Sequence, residues 1–208
     1  MNEPLATAAD VVTFWFGAAP PHDAAALGRQ RAWFTKSDAF DAEIRARFAP
    51  IIHTALAGGC HAWAQDAQGW LALIVVLDQF TRNVFRGDAK AFAGDAAARD
   101  LAEAGIARGW DAGLPFMARP FVYLPFEHAE DLATQHRSVD WFSALLAEAR
   151  AASAPEAVLT TLASNLDYAQ RHLDVIARFG RFPHRNAILG RASTAEELVY
   201  LAQPGAGF

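Results

Sequence analysis

The sequence holds a single cysteine, Cys60, among its 208 residues. No disulfide can form within the chain, and no thiolate cluster for zinc can be assembled. Long apolar runs are missing too. The longest, Trp70–Leu77 (WLALIVVL), is closed by Asp78, far short of the ~20 residues of a membrane-spanning helix. Lysine is nearly absent: Lys36 and Lys90 are the only two among eighteen cations, and the rest are arginines. No cation precedes Arg29, whereas a secretory signal opens with a basic segment. A cytoplasmic protein is expected. The net charge of −5 leaves no extended basic stripe for a nucleic acid to follow. Neither nucleic acid nor membrane is an expected partner. No His-x-x-x-His or Glu-x-x-His pair occurs, so no metal or other cofactor is expected.

No window alternates apolar and polar residues long enough to define a strand. Helical periodicity runs almost throughout, in one expected domain over 1–208 with a loose tail at 204–208. Thr7 caps a first helix that ends at Gly17, and Ser37 or Asp38 opens another that closes on Gly58 and Gly59. Pro50 should break or kink it. Glycines bracket the helices around residues 70–86 and 95–107. Prolines at 115, 120 and 125 predict a broken segment followed by a helix starting near Pro125. Another helix lies around Val139–Ala151, and a long one runs from Pro155 to Gly180. A final helix opens at Ser193, with Glu196 at capping-box spacing. The expectation is an all-α protein of about eight to ten helices in antiparallel pairs. No repeat of about 34 residues is evident.

Three segments set polar groups against this apolar background. The helix around Trp70 is apolar nearly all round at first. It then turns polar, with Asp78, Arg82 and Arg86 at i, i+4 and Gln79 and Asn83 alongside. Buried charges left unpaired cost several kcal/mol, so these groups bond one another or line a wet cavity. In the second segment, LPFEHAEDLATQ, one helix would place Asp131 three residues from His128, able to orient its imidazole for general acid/base work. In the third, RFGRFPHRN (178–186), Gly180 stops a helix and Pro183 extends Phe182. Arg181, His184, Arg185 and Asn186 then point away from the anchoring phenylalanines, and His172 and Asn165 border the preceding core stripe. Arginine forks suit carboxylate or phosphate. Their anion is either a ligand or the acids of the other two segments.

The strings FWFG, RQRAWFTKSDAFDAEIRARF, LALIVVLDQFTRNVFRG, FVYLPFEHAEDLATQ and HLDVIARFGRFPHRNAILGRASTAEELVYL resemble the bacterial proteins grouped as domain of unknown function 924, in order from about Val11 to Leu201. The resemblance implies antiparallel helical hairpins in a tetratricopeptide-like right-handed superhelix, and it brings no established reaction. It marks Asp78, Gln79, Arg82, Asn83, Arg86, His128, Glu130, Asp131, Gln135, His172, Arg181, His184, Arg185, Asn186 and Arg191. The family often carries methionine where this chain has Glu127.

Two functions are expected. In the first, the segments enclose a pocket for a small anionic metabolite. Arg82, Arg86, Arg181 and Arg185 hold the anion, with Asp78, Gln79, Asn83, Gln135, His184 and Asn186 also facing it. His128, Glu130, Asp131 and His172 are the catalytic candidates. In the second, the chain is a scaffold for a peptide or protein partner, and the polar cluster is internal bracing.

Overall fold

The structure, a computed structural model of the chain, describes residues 5–207; Phe208 of the expected tail lies outside them. Helix ends obey the capping residues. Thr7 and Asp10 cap α1 (Ala8–Phe16) reciprocally, and Gly17 ends it at φ 83° in the left-handed region, which glycine enters without a Cβ clash. Two short helices come next, α2 (Asp23–Leu27) and α3 (Gln30–Phe34). Ser37 caps α4 (Asp38–Leu56). Of the break or kink expected at Pro50, the break is absent: α4 runs through the proline without the bond that its missing N–H would have made.

α5 (Ala67–Val75) continues through a π-helical turn (Val76–Phe80) into α6 (Thr81–Val84). Then come α7 (Asp95–Ile106), α8 (Pro120–Glu127), α9 (Leu132–Ala151), α10 (Glu156–Phe179) and α11 (Ala195–Leu201). Counting Ala67–Val84 as one, the described residues form ten helices and no strand. The all-α expectation holds. Among the described residues no helix is long and apolar enough to cross a membrane.

Three boundaries differ from expectation, and the first is α9, which begins at Leu132 and not near Val139. α8 starts at Pro120, not near Pro125, because Pro120 occupies the first turn where its missing N–H is harmless. The capping box of α11 is Thr194 and Glu197, not Ser193 and Glu196. Both pairs have the same spacing, but the Glu197 carboxylate is also gripped by the Arg181 fork at 2.6 and 2.8 Å, while the Ser193 hydroxyl accepts from Asn186.

α5 is buried on every side, from Gly69 to Val75, as its all-round apolar sequence requires. Trp15, Trp33, Phe40, Phe80 and Phe121 interlock beside it, with ring centroids 4.7–6.0 Å apart. α8 and α9 are antiparallel: Arg119 meets Glu148 at 2.6 Å, Tyr123 stacks on Trp141, and Gln135 reaches the Glu127 carbonyl at 2.6 Å. The short link 152–155 turns the chain back into α10, so α8 and α10 run in the same direction. This layering is compatible with a tetratricopeptide-like superhelix. Val175, Ile176 and Phe182 form a second, smaller core with Phe179 and Tyr200, and it anchors the corner after α10.

Candidate functional site

The π turn decides where the polar end of the Trp70 helix points. Its extra residue rotates α6 relative to α5, and such turns are frequent at functional sites. Asp78 sits within it, fully buried. Arg82 approaches the Asp78 carboxylate at 3.0 Å and lays its fork on Asp95, at 2.8 and 3.0 Å. The Gln79 amide donates to the other Asp78 oxygen. His128, at the end of α8, closes the arrangement with Nδ1 at 2.7 Å from Asp78 Oδ1. Burial pushes the Asp78 carboxyl up, yet Arg82 and His128 outweigh it and hold it below the usual carboxylate range. An ionised carboxylate only accepts, so Nδ1 of His128 carries the proton and Nε2 keeps the lone pair of the neutral ring.

α10 supplies the second imidazole. His172 Nδ1 lies 2.9 Å from the Tyr168 carbonyl and 3.1 Å from Glu127 Oε1. A carbonyl only accepts, so Nδ1 is again the protonated nitrogen. The two imidazole centroids are 6.3 Å apart. Glu127 is only 3% exposed. Burial, and then the Asp78 charge, push its carboxyl up to about 8, against the pull of Arg82. Burial pushes His172 down to about 3, and it lowers His128 as well, together with Arg82. At neutral pH the site therefore holds a neutral carboxylic acid beside two neutral imidazoles.

These groups face a cavity of about 460 Å³. Its inner wall is Gln79, Arg82, Glu127, His128 and His172. Pro120 and Leu124 of α8 form an apolar floor. Ser164, Asn165 and Tyr168 of α10 and Phe34 of α3 complete it. Phe34 is 57% and Tyr168 45% exposed, which marks the open side. Among the described residues Arg82 is the one permanently charged side chain on the wall, with Asp78 and Asp95 behind it.

The remaining candidates sit elsewhere. Asn83 and Arg86 both bind Asp41 of α4, at 2.7 Å, because the π turn swings them toward that helix. The expected continuous helix through Glu127–Thr134 does not exist. Residues 128–131 link two helices, and Asp131 caps α9 by accepting from Thr134 N–H at 2.8 Å. Asp131 therefore does not orient His128; Asp78 does. Glu130 clamps the corner after α10, taking Arg191 at 2.6 and 2.8 Å and the Phe182 N–H at 2.8 Å. Gln135 donates to the Glu127 carbonyl at the end of α8 and to the Ala129 carbonyl in the link. Arg181 and Asn186 are held by Glu197, and His184 packs on Phe182. Arg185 lies between the Phe92 and Phe182 rings, 4.6 and 4.5 Å from their centroids, with Asp95 at 3.5 Å. The four-arginine clamp is not assembled, since acids of the chain take three of its members away from the cavity. Asp95, Asp41 and Glu197, which select these geometries, were not among the expected residues. Glu127, likewise outside the expected set, is the acid on the wall. Among the described residues no group of three or more His, Cys, Asp or Glu is placed to hold a metal ion.

The solved structure of a protein of unknown function, ATU0120 from Agrobacterium tumefaciens, is 39% identical and superposes with a TM-score of 0.76, over 94% of this chain and 96% of that one. No curated protein matches the chain. The family described as bacterial protein of unknown function (DUF924) matches residues 11–205. That match spans nearly the whole sequence, and the chain belongs to this family.

Proposed function

We propose that the cavity binds a small anionic molecule and moves protons on it, with the Asp78-oriented His128 as general base and Glu127 as general acid. The carrying observation is geometric: His128, held by the buried Asp78 at 2.7 Å, and the buried Glu127 carboxyl, 3.1 Å from His172, line one open cavity. The Asp78 bond presents Nε2 of His128 as the basic nitrogen. Catalysis by acid and base needs two groups whose surroundings drive their proton affinities apart. Glu127 and His128 meet that need in the useful direction, the acid protonated and the base unprotonated at neutral pH. The anionic preference rests on two donors of the wall, Arg82 and the protonated Glu127 carboxyl. Arg185, beside Asp95, joins Arg82 in balancing the charges of Asp78 and Asp95, so the wall carries no net negative charge. Buried donors and a guanidinium in a low-dielectric cleft favour a carboxylate or phosphate over water.

A thermal-shift screen should show stabilisation by small carboxylates or phosphates and none by amines of the same skeleton. An anion bound beside Glu127 raises its proton affinity further, so calorimetry at pH 8, where Glu127 is part-ionised, in buffers of different ionisation enthalpy should show proton uptake on binding. His128→Asn, which keeps a donor for Asp78, should bind the hit and lose any turnover. Indifference to every anion, or turnover that survives His128→Asn, overturns the reading. Scaffolding of a peptide or protein partner draws on a separate observation, the exposed Leu198 and Val199 of α11, 58% and 64% accessible. Neither lines the cavity, so mutation of that face separates the two roles.

A further inference from the structure

The cavity has an internal axis that narrows the ligand further, on the premise that it binds an anion as proposed. α8 and α10 run in the same direction, and His128 and His172 stand side by side, their rings 6.3 Å apart. One turn back along each helix come Leu124 and Tyr168, and a further turn back come Pro120 and Ser164. All six line the cavity. The lining is therefore a ladder of three levels, spanning about 11 Å over two turns of 5.4 Å. Chemistry changes from level to level. The first, with Glu127, Gln79 and Arg82, is polar and buried; Glu127 and Gln79 are 3% and 9% exposed. The second sets an aliphatic side chain against a phenol ring. The third has Pro120 as its floor and opens at the exposed Ser164.

α3 lies over this open end. The Gln30 side chain bonds the Thr161 hydroxyl, one turn before Ser164. Phe34, four residues on from Gln30 and thus on the same face of α3, reaches the cavity there.

We infer that the site takes an amphipathic monoanion, a carboxylate with an unbranched alkyl or aryl tail, its head against the two donors of the wall, Arg82 and the Glu127 carboxyl, and its tail along Leu124, Tyr168 and Pro120 toward Phe34. A small polar acid would leave the second and third levels wetted for nothing. A ligand polar at both ends would press a polar group on Leu124 and Pro120 of α8, and its hydrogen-bonding partners would be confined to Ser164, Asn165 and Tyr168 on the α10 side.

Calorimetric titration of the full-length protein with acetate, butyrate, hexanoate and octanoate, and with the matching alkylamines, tests this. Affinity for the acids should rise about fourfold per methylene and level off once the chain passes Phe34. Phe34→Ser, at an exposed position where folding is not in question, should lower the affinity of the longest acids and leave acetate unchanged. Leu124→Asn should flatten the whole series. Equal affinity for acetate and octanoate overturns the tail assignment while leaving the anion site intact. Amines that follow the length series while acids do not bind overturn the head assignment, and with it the proposed function. Acids of every length failing to bind overturn both.

Discussion

Glu127→Gln isolates the proton that the site is argued to hold. In the folded protein burial and Asp78 push the Glu127 carboxyl from an ordinary 4.5 up to about 8. The native state thus binds this proton more tightly than the unfolded chain does. The resulting stabilisation is fully present below about 4.5 and is lost as pH rises to about 8. The imidazoles run the other way. Burial pushes His172 down to about 3 and His184 to about 4, from 6.5, and lowers His128 too. Their contributions grow as pH rises to 6.5 and are level above it, so the opposing slopes offset one another in the acid range. Between pH 6.5 and 8 the Glu127 contribution stands by itself. About one and a half pH units at 1.36 kcal/mol each give a loss of about 2 kcal/mol. For a chain of this size that is a fall in Tm of about 4–8 °C.

Denaturant unfolding of the wild type and of Glu127→Gln at pH 6.5 and pH 8.0 measures this directly. The wild-type midpoint should drop over the interval and that of the amide variant should stay nearly level. Glutamine keeps the size of the side chain and cannot ionise, so the variant closes the gap or overtakes at pH 8.0. A wild-type midpoint that is flat or rising, or an equal fall in both proteins, refutes the assignment of a neutral carboxyl at this position.

Other substitutions probe the supports of the site. Asp78→Asn removes the acid from a buried ion pair and should cost about 3–5 kcal/mol in denaturant unfolding; it should also lower the His128 proton affinity further, read by NMR titration, because the Asp78 charge raises it. Asp131→Ala removes only the cap of α9 and should lower the unfolding midpoint slightly, with the His128 titration unchanged; a shift of His128 would restore Asp131 as its partner. Gly105→Ala would put a Cβ on the Trp70 indole, whose N–H is fixed on the Leu101 carbonyl at 2.6 Å. That overpacking should cost about 1–3 kcal/mol, with a changed tryptophan emission, and an unaltered midpoint would show that α5 and α7 can separate.

The parts of the fold that are legible in the sequence are those that local chemistry decides. Thr7, Ser37, Gly17 and Gly180 act within three or four residues of themselves: the first two open helices where their side chains can cap, and the glycines close them where a missing Cβ is required. The stretch Pro125–Gln135 misleads because two short signals overlap there. Periodicity carries one helix across it, but Asp131 and Thr134 have cap spacing, and the cap prevails. The partners of the site acids are not legible at all. Asp78 and His128 are fifty residues apart, and nothing in either segment names the other. Asp41 and Asp95 sit in the first turns of α4 and α7, where a helix dipole accounts for an acid without any arginine. Their bonds to Arg86 and Arg82 reveal themselves only in three dimensions. Glu127 does carry a sequence signal. It is the only carboxyl of PFVYLPFE, a helix buried along its whole length.

Two features separate this cluster from simple bracing. Asp78, Arg82, Asp95 and Arg185 balance as two anions and two cations, and apolar residues of similar volume would hold the same helices at least as firmly. Stability is thus a weak reason for placing them inside, whereas fixing one tautomer of a cavity-facing imidazole is a specific outcome of their geometry. Glu127 adds the second feature. Ionised, it would set another negative charge beside Asp78 in a dry wall, and Arg82 is already held between two aspartates. Neutrality is the lower-energy state, and it leaves a proton lodged on the wall of a cavity that solvent can enter. A bracing acid would sit against a cation, as Glu130 does with Arg191 and Glu197 with Arg181. Glu127 sits against an imidazole whose own proton points to it and to a backbone carbonyl, an arrangement suited to giving the proton up and taking it back.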